Sequence, residues 1–565
     1  MKKTISAVLA VLFLTAVGTA YGQSKFEEVM SRGVLSGNIQ IDAQIYQKDS
    51  AIGAQDVPEK FRSNSYAYLQ YTNGRFSMGA RFEGYFKPML GYDARYDGAG
   101  VPYYFARFSG NMIDVTVGNF YEQFGSGMLL RAYQDWNLGL DNSIFGARAI
   151  VTPTAGITIK GVVGTQRHFW DKQGLIRGID ADLSFNDFIK PMRDWETRIR
   201  IGGSFVSKYQ ESQNIPVSME GENDTILVYG LNVPQNVGSA AARMSIESHG
   251  FTFSGEYAWK ANDPTAENGW IYKNGQALLL NVGYSMRGFG ILLSAKSVDN
   301  MGFRSSRTEA GNYGMINYMP ALTRQHTYSV ASFYPYACQP NGEVGFQADI
   351  YYKIKRGTAL GGKYGTDIKL NASVATALNE KPVEGAALHE PGTKGYKAGL
   401  FAVSDSIYFV DANIEIAHKF NKHFKATLMY MYQQYNKEVV EGHGDFIKAH
   451  IVVGDFTYMF LKKHALRLEV QYMNTKQDDG DWLMGTLEYT FAPQWFLSVS
   501  DLWNVGNPDP AKRLHYYYVS AAYVHDALRI ALSYGRIRQG IMCAGGVCRE
   551  LPASNGLMLT ITSTF

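Results

Sequence analysis

No stretch rich in proline, glycine and serine divides this chain of 565 residues, and its composition does not shift from one part to another. The chain is therefore interpreted as one folded unit, although its length would allow several domains. Beyond the first 22 residues, no uninterrupted apolar run approaches the roughly 20 residues that a membrane-spanning helix needs. These two absences exclude a string of linked domains and a helical membrane protein.

The net charge is also small, and known catalytic motifs are missing. The net charge is only +3 and is spread along the chain, which argues against a nucleic-acid partner. The histidines show neither the His-x-x-x-His nor the His-Glu-x-x-His spacing of metal sites. Gly-x-Ser-x-Gly, phosphate-binding glycine loops and paired cysteine motifs are missing as well. We therefore expect that the protein is not an enzyme and that it binds no metal and no cofactor. The alternative is an outer-membrane hydrolase whose catalytic triad the sequence does not reveal.

What the sequence has in quantity is alternation of apolar and polar residues, together with 14% aromatic residues. The last nine residues show it clearly. One face carries Leu557, Leu559, Ile561 and Phe565, and the other carries Met558, Thr560, Thr562 and Thr564. A period of two indicates a strand with one apolar face. Its terminal Phe565 is similar to the C-terminal signal that the barrel-assembly machinery of bacterial outer membranes reads.

The same alternation recurs from residue 35 onwards. Residues 35–46 place leucine, isoleucine and alanine on one face, and residues 251–260 do the same with Phe, Tyr and Trp. Asn73-Gly74 joins two such strands and favours a type I′ turn, in which both positions have positive φ. In a transmembrane barrel only every second residue meets lipid, which produces this pattern.

Connections of two lengths alternate along the chain, and this asymmetry is typical of outer-membrane barrels, with short periplasmic turns and long extracellular loops. The sequence predicts an all-β fold, a single large antiparallel transmembrane β-barrel of about 24 strands (range 22–26). Because the number of strands should be even, residues 327–334 are expected to lie outside the wall, in an extracellular or in-barrel segment. A β-bulge is predicted near Gly454-Asp455, where the apolar phase slips. Tyr and Trp near strand ends predict aromatic girdles.

The first residues predict export. Met1-Lys2-Lys3, an apolar run from Ala7 to Val17 and small residues before position 23 are typical of a cleaved signal peptide. The expected organisation is a signal peptide at 1–22, a short periplasmic segment at 23–34 and the barrel at 35–565. A first strand so close to the cleavage site disfavours a TonB-dependent transporter, which has a plug domain before its barrel.

The most distinctive stretch, residues 119–142, follows a strand and does not alternate. It concentrates Glu122, Arg131, Asp135 and Asp141, and Arg131 and Asp135 are spaced to pair on a short helix. A polar, structured insert between strands would fold into the lumen and narrow it. The alternative is a surface loop held by local hydrogen bonds.

The lumen face carries charges of both signs, including the candidate constriction residues Arg81, Arg198 and Arg200. No ring of one sign marks ion selectivity, and structural pairing between strands is the alternative role. Cys543 and Cys548 flank four residues in the last extracellular loop, and an oxidising compartment favours a disulfide there over a metal site. Cys338 has no evident partner.

The signal, the alternating strands, Phe565 and the stretch from Tyr121-Glu-Gln-Phe-Gly-Ser-Gly to Leu140-Asp-Asn together resemble a Bacteroidota family of uncharacterised outer-membrane barrels. The resemblance covers the whole mature chain. It implies the fold and a location in the outer membrane of a Gram-negative cell, and it implies no activity and no site residues.

Two functions are consistent with these features. The first is a porin-like channel that lets small polar solutes pass through a lumen narrowed by residues 119–142. The second is a non-channel barrel for surface binding or secretion, whose lumen is blocked by folded-in segments. Expected partners are outer-membrane lipid, the barrel-assembly machinery and, for the second function, another envelope protein.

Overall fold

The computed structural model describes residues 33–212, 214–220, 226–544 and 547–565. Within them, 24 antiparallel strands form one closed sheet, as the sequence predicts. The first twelve, β1–β12, are Val34–Tyr46, Phe61–Asn73, Phe76–Phe86, Gly98–Ser109, Ile113–Phe120, Ile144–Thr154, Ile157–His168, Asp171–Ser184, Arg198–Tyr209, Asn236–Ser248, Phe251–Lys260 and Gly275–Met286. The other twelve, β13–β24, are Phe289–Asp299, Gly342–Ile354, Thr366–Leu378, Val403–Lys419, Phe424–Asn436, Phe446–Leu461, His464–Thr475, Trp482–Phe491, Trp495–Trp503, His515–His525, Leu528–Ile537 and Ser554–Thr564.

The barrel closes between its first and last strands. Ile41 of β1 lies opposite Ile561 of β24. At the end of this seam, Gly37 donates its N–H to the carbonyl oxygen of Phe565 at 2.8 Å, and Phe565 donates back at 3.0 Å. Closure leaves no edge strand with unpaired backbone groups, which is what a sheet surrounded by lipid requires.

Short elements outside the wall complete the described chain. Two α-helices span Phe185–Phe188 and Lys437–Glu441, and 3-10 helices span Ser50–Ile52, Ala94–Tyr96, Lys190–Met192, Val330–Ser332 and Pro510–Lys512. Short strands pair in hairpins at Gln123–Phe124 with Leu130–Arg131, Gln134–Asp135 with Leu140–Asp141, Ile215–Glu220 with Ile226–Leu231, Lys381–Pro382 with Tyr396–Lys397, and Gly540–Ala544 with Val547–Leu551. No described helix is long and apolar enough to cross a membrane.

The outer surface of the barrel is apolar. Leu293, Val452 and Leu532 are each close to half exposed on it. Aromatic side chains stand on the same surface near both ends of the strands, such as Trp495 at one end and Trp259 at the other. Apolar residues exposed all round a closed cylinder need an apolar surrounding, so the barrel spans a membrane.

The connections differ at the two ends of the barrel. Both termini of the wall and most of the short turns lie at one end, called the turn end here, although 185–197 and 355–365 are longer connections there. The opposite end, called the loop end, carries the longer connections, among them 121–143 and 300–341. The predicted segment 327–334 lies outside the wall, since it falls within 300–341 and contains a 3-10 helix.

Two local predictions are wrong. Asn73 pairs with Phe76, so the hairpin turn consists of Gly74 and Arg75. Of these two residues only Gly74 has positive φ (57°), which excludes a type I′ turn. The register of β18 also runs unbroken past Gly454, and its irregularity lies between Met459 and Leu461. The predicted signal peptide, its cleavage site and most of the 23–34 segment lie outside the described residues.

Candidate functional site within the lumen

A barrel of 24 strands has a bore wide enough for a channel unless something fills it. Two connections from the loop end fold into this bore. We call residues 121–143 insert 1 and residues 300–341 insert 2.

Insert 1 consists of two small hairpins. Gln123–Phe124 pairs with Leu130–Arg131, and Gln134–Asp135 pairs with Leu140–Asp141. The glycines concentrated in this stretch lie at tight turns, because Gly125, Gly127 and Gly139 all have positive φ. The sequence prediction of a short helix with an Arg131–Asp135 ion pair is wrong, because both residues belong to these hairpins. Asp135 instead accepts a hydrogen bond from the backbone N–H of Asn137 at 2.9 Å.

One side of insert 1 is fixed to strands β6–β11. The Glu122 carboxylate accepts a hydrogen bond from Lys160 at 2.9 Å and lies 3.5 Å from Arg148. Farther round the barrel, Glu256 of β11 accepts the backbone N–H of Ser126 at 2.9 Å. Phe124 is 1% exposed and packs on the lumen face of β7 and β8. These contacts place insert 1 inside the barrel and exclude the surface-loop alternative.

The other side of insert 1 is held by buried charges on β3 and β7. Asp141 pairs with Arg81 and with Arg167, and Glu83 pairs with the same two arginines, each at 2.8 Å. All four side chains are at most 5% exposed. The two positive charges of the guanidinium groups cancel the two negative charges of the carboxylates, as burial of a charged cluster requires. Burial by itself would raise the pKa of Asp141, but the two adjacent guanidinium groups outweigh it and hold that pKa below its usual value.

Arg81 also contacts the body of insert 1. It donates hydrogen bonds to the amide oxygen of Gln134 at 2.7 Å and to the hydroxyl of Tyr121 at 3.0 Å. The structure thus brings together Arg81, Asp141 and part of insert 1. Glu83 and Arg167, which complete the cluster, are not among the predicted constriction residues, because alternation assigns a side chain such as that of Glu83 to the lumen without identifying its partner.

The remaining two candidates lie toward the turn end. Arg200 lies 3.9 Å from Glu247 and lines a cavity of about 280 Å³ that Ser126 of insert 1 also lines. Arg198 lies 3.9 Å from Asp187 at the rim, and its side chain is 49% exposed. Arg198 is therefore not part of the constriction that insert 1 forms.

Insert 2 is joined to insert 1 by hydrogen bonds. Ile316 accepts the backbone N–H of Arg131 at 2.9 Å, and Gly127 accepts that of Tyr318 at 3.1 Å. Asn317 donates its side-chain amide to the carbonyl oxygen of Met128 at 2.9 Å. The two inserts therefore form one body that crosses the lumen.

The second half of insert 2 continues to the opposite wall. Arg324 and His326 pair with Glu415 and Asp411 of β16, at 2.8 and 2.5 Å. Beyond them, the backbone N–H of Val330 donates to Gln471 of β19 at 2.9 Å. An apolar core forms around this half, and its wall members are Ala375, Phe409, Met429, Met431, Tyr435, Ile447, Ala449, Ile451, Val453, Met473 and Trp482.

A third element covers the inserts at the loop end. It is the hairpin of Gly540–Ala544 and Val547–Leu551, in which a disulfide joins Cys543 and Cys548. Gln325 of insert 2 donates to the carbonyl oxygen of Cys543 at 3.1 Å. Val547 packs against Leu138 and Leu140 of insert 1. We call this element the disulfide hairpin.

The inward surface of β21–β24 and β1 has a different character. Its side chains are small or polar and bond to one another, as Ser498 does with Ser520 at 2.9 Å and Tyr518 with Ser533 at 2.8 Å. Thr560 likewise donates to Asp42 across the closing seam at 2.9 Å. We call this part of the wall the polar arc. The buried wall members of the two large apolar clusters that hold the inserts lie instead on β5–β20, and Leu502 of β21 and Tyr516 of β22 pack at the margin of the second cluster.

A cavity of about 500 Å³ separates insert 1 from the end of the polar arc. Gln40, Thr562 and Thr564 line it from the arc, and Gln134 and Trp136 from insert 1. Among the described residues, no three His, Cys, Asp or Glu side chains converge as a metal site would require.

Comparison with known proteins adds likeness of fold without function. The siderophore receptor PirA from Pseudomonas aeruginosa is 9% identical, with a TM-score of 0.38 over 94% of this chain and 80% of that one. OccAB4 from Acinetobacter baumannii is 10% identical, with a TM-score of 0.33 over 83% and 98%. The P pilus usher PapC translocation pore is 8% identical, with a TM-score of 0.38 over 94% and 99%. No curated protein matches the chain.

Proposed function

The chain belongs over residues 1–565 to DUF6029, a family of unknown function, and we propose that it is an outer-membrane barrel that passes small polar solutes along one side of an obstructed lumen. The polar arc is the observation that carries this proposal. A wall that packs against an insert is apolar, as on β5–β20, whereas hydroxyl and amide groups facing the bore suit water.

The chemistry of the arc favours uncharged or weakly charged polar solutes. Ser500, Ser520, Ser533 and Thr560 provide hydroxyl groups that both donate and accept hydrogen bonds. Many charges along the lumen are paired with opposite charges, as in the Arg81 and Asp141 cluster. Paired charges give no field of one sign, so strong ion selectivity is not expected.

Conductance in planar bilayers tests the proposal. The purified barrel is expected to open stepwise channels, and Ser520→Trp is expected to reduce their conductance because the indole would fill the arc. Val519→Trp is the matched control, since Val519 is the neighbouring residue of the same strand and is 51% exposed on the lipid face. Absence of channel steps in the wild type, or equal conductance of the two variants, would refute the proposed solute path along the polar arc.

One observation favours a second candidate, a non-channel barrel for surface binding or secretion. The two inserts and the disulfide hairpin together obstruct the bore, and an apolar core buries the second half of insert 2. Such a barrel would co-purify with another envelope protein after mild solubilisation. Recovery of the barrel alone, together with stepwise conductance, would decide for the channel.

Assembly in the outer membrane follows from the same proposal. Phe565 is 56% exposed on the outer surface, where the barrel-assembly machinery would reach it. Removal of Phe565 is expected to lower the amount of folded barrel in the outer membrane. The control Phe565→Tyr adds only a hydroxyl group, keeps the terminal aromatic ring and should leave assembly intact. Equal assembly after removal would reject this role. The proposal assigns the protein no catalytic step.

A further inference from the structure

The disulfide hairpin covers a cavity of about 460 Å³ that opens between the two inserts and the wall. Arg131 of insert 1 and Arg324 and His326 of insert 2 line it. Its size falls in the range of small-molecule sites, which are usually clefts of roughly 300–1,000 Å³. The polar path along β21–β24 does not use this cavity.

Among the described residues that line the cavity, one cation has no carboxylate partner and is left for a ligand. Arg324 and His326 already pair with Glu415 and Asp411 behind them. The guanidinium of Arg131 lies over the ring of Tyr133, 4.4 Å from its centroid, and none of the described residues that line the cavity is acidic. An anionic group bound here would therefore meet Arg131 without displacing a carboxylate.

A buried acceptor lies in the same lining. Gln433 of β17 is 2% exposed, and its amide nitrogen donates to the carbonyl oxygen of Tyr334 at 3.0 Å. Its amide oxygen has no hydrogen-bond partner among the described residues. An acceptor without a partner costs free energy when buried, and a ligand hydroxyl would satisfy it.

Aromatic side chains complete the lining. Tyr336 and Phe409 stack with ring centroids 5.2 Å apart, and Tyr334 lies beside them. Aromatic walls with a few placed polar groups are the usual composition of a binding pocket. They suit the C–H faces of a sugar ring, while Ser332 and Thr323 supply further hydroxyl groups to the lining.

From this combination we infer that the cavity binds an acidic monosaccharide-sized polyol, such as a uronic acid. Its carboxylate contacts Arg131 and one of its hydroxyl groups donates to Gln433. Gln325 and Cys543, which form the contact between insert 2 and the disulfide hairpin, also line the cavity. This binding site does not depend on whether the barrel conducts solutes.

Isothermal titration of the full-length barrel in detergent tests the site, with D-glucuronate as the probe and D-glucose as the uncharged comparison. Glucuronate is expected to bind at least about tenfold more tightly than glucose, because only its carboxylate pairs with Arg131. Arg131→Gln should remove this difference, and Arg131→Lys should restore part of it. Arg177→Gln is the matched control, since Arg177 is an exposed loop-end residue that bonds to Asn236 outside the cavity.

Three results would overturn the inference. They are no heat of binding with glucuronate, equal affinity for glucuronate and glucose, and unchanged affinity in the Arg131→Gln variant. Each variant is first checked for folding by the change in electrophoretic mobility that a folded barrel shows on heating. Gln433→Leu provides a second measurement, because it removes the acceptor and keeps the volume, and it should weaken both sugars.

Discussion

Asp141 of insert 1 and Arg167 of β7 form a buried ion pair, with 2.6 Å between the carboxylate Oδ2 and the guanidinium Nη1. Arg81 of β3 contacts the same carboxylate oxygen through its Nη2. A single side chain thus fastens insert 1 to two wall strands. Because the charges are buried and balanced, loss of one leaves the others without compensation.

The first prediction concerns the substitution Asp141→Asn. It should loosen insert 1, since Arg81 and Arg167 would then share only Glu83, and breaking a buried network by removing one member costs roughly 3–5 kcal/mol. Trypsin cleavage after Arg131 reports on the loosening and should become faster. Asp135→Asn is the control, because its amide oxygen can still accept from the backbone N–H of Asn137. Equal cleavage of the two variants would contradict the anchoring role.

The second prediction concerns pH. The pKa of Asp141 in the folded protein lies below its usual value, so its stabilising contribution is complete above the ordinary carboxyl pKa of about 3.9. That contribution is lost as the pH falls through the lower folded pKa. Hydrogen exchange of residues 121–143, corrected for intrinsic rates, should show constant protection from pH 7 to 5 and a loss only below about pH 4. The Asp141→Asn variant should lack this acid step, and a step of equal size in it would assign the effect to another group.

The wall of the barrel could be predicted from the sequence, because lipid contact imposes a period of two on almost every strand. The same rule failed on β18, where Ile447, Ile451 and Val453 are apolar and yet face inward. They pack against insert 2, and the inward face becomes polar at Asp455, which accepts a hydrogen bond from the hydroxyl of Tyr328 in insert 2 at 3.4 Å. The shift of apolar residues from one face of this strand to the other, interpreted as a bulge, therefore reflects packing against an insert in the lumen.

The site itself could be predicted only in part. The glycines and charges of residues 121–143 indicated a structured insert, but Arg131 and Asp135 have hairpin neighbours that spacing along the chain does not reveal. The partners of Asp141 are 60 and 26 residues away from it. Such contacts depend on the register of the closed sheet, which hydrophobic periodicity leaves undetermined.

The third prediction uses a glycine under insert 1. A Cβ atom at Gly178 of β8 would lie 2.8 Å from the Phe124 ring and 3.1 Å from Val162. Gly178→Ala should therefore displace Phe124 from its contact with the wall and lower the free energy of unfolding by about 1–3 kcal/mol. Gly161→Ala on the neighbouring strand is the matched control, since no atom lies within 4 Å of its Cβ position. The midpoint of unfolding in denaturant measures both variants, and an equal midpoint would show that Phe124 has room to move.

The fourth prediction concerns the three cysteines. Burial of Cys338 and the nearby Glu343 carboxylate raise the pKa of its thiol to about 12, despite Lys296 at 3.1 Å from the sulfur. At pH 8 this thiol stays protonated, and the thiolate is the reactive form. Alkylation of the native barrel followed by mass spectrometry should label none of the three, because Cys543 and Cys548 are joined. Unfolding without reductant should expose Cys338 alone to the reagent, and reduction should add two labels. Labelling of Cys338 in the native barrel would mean that insert 2 opens to solvent near β13, where Lys296 now holds it.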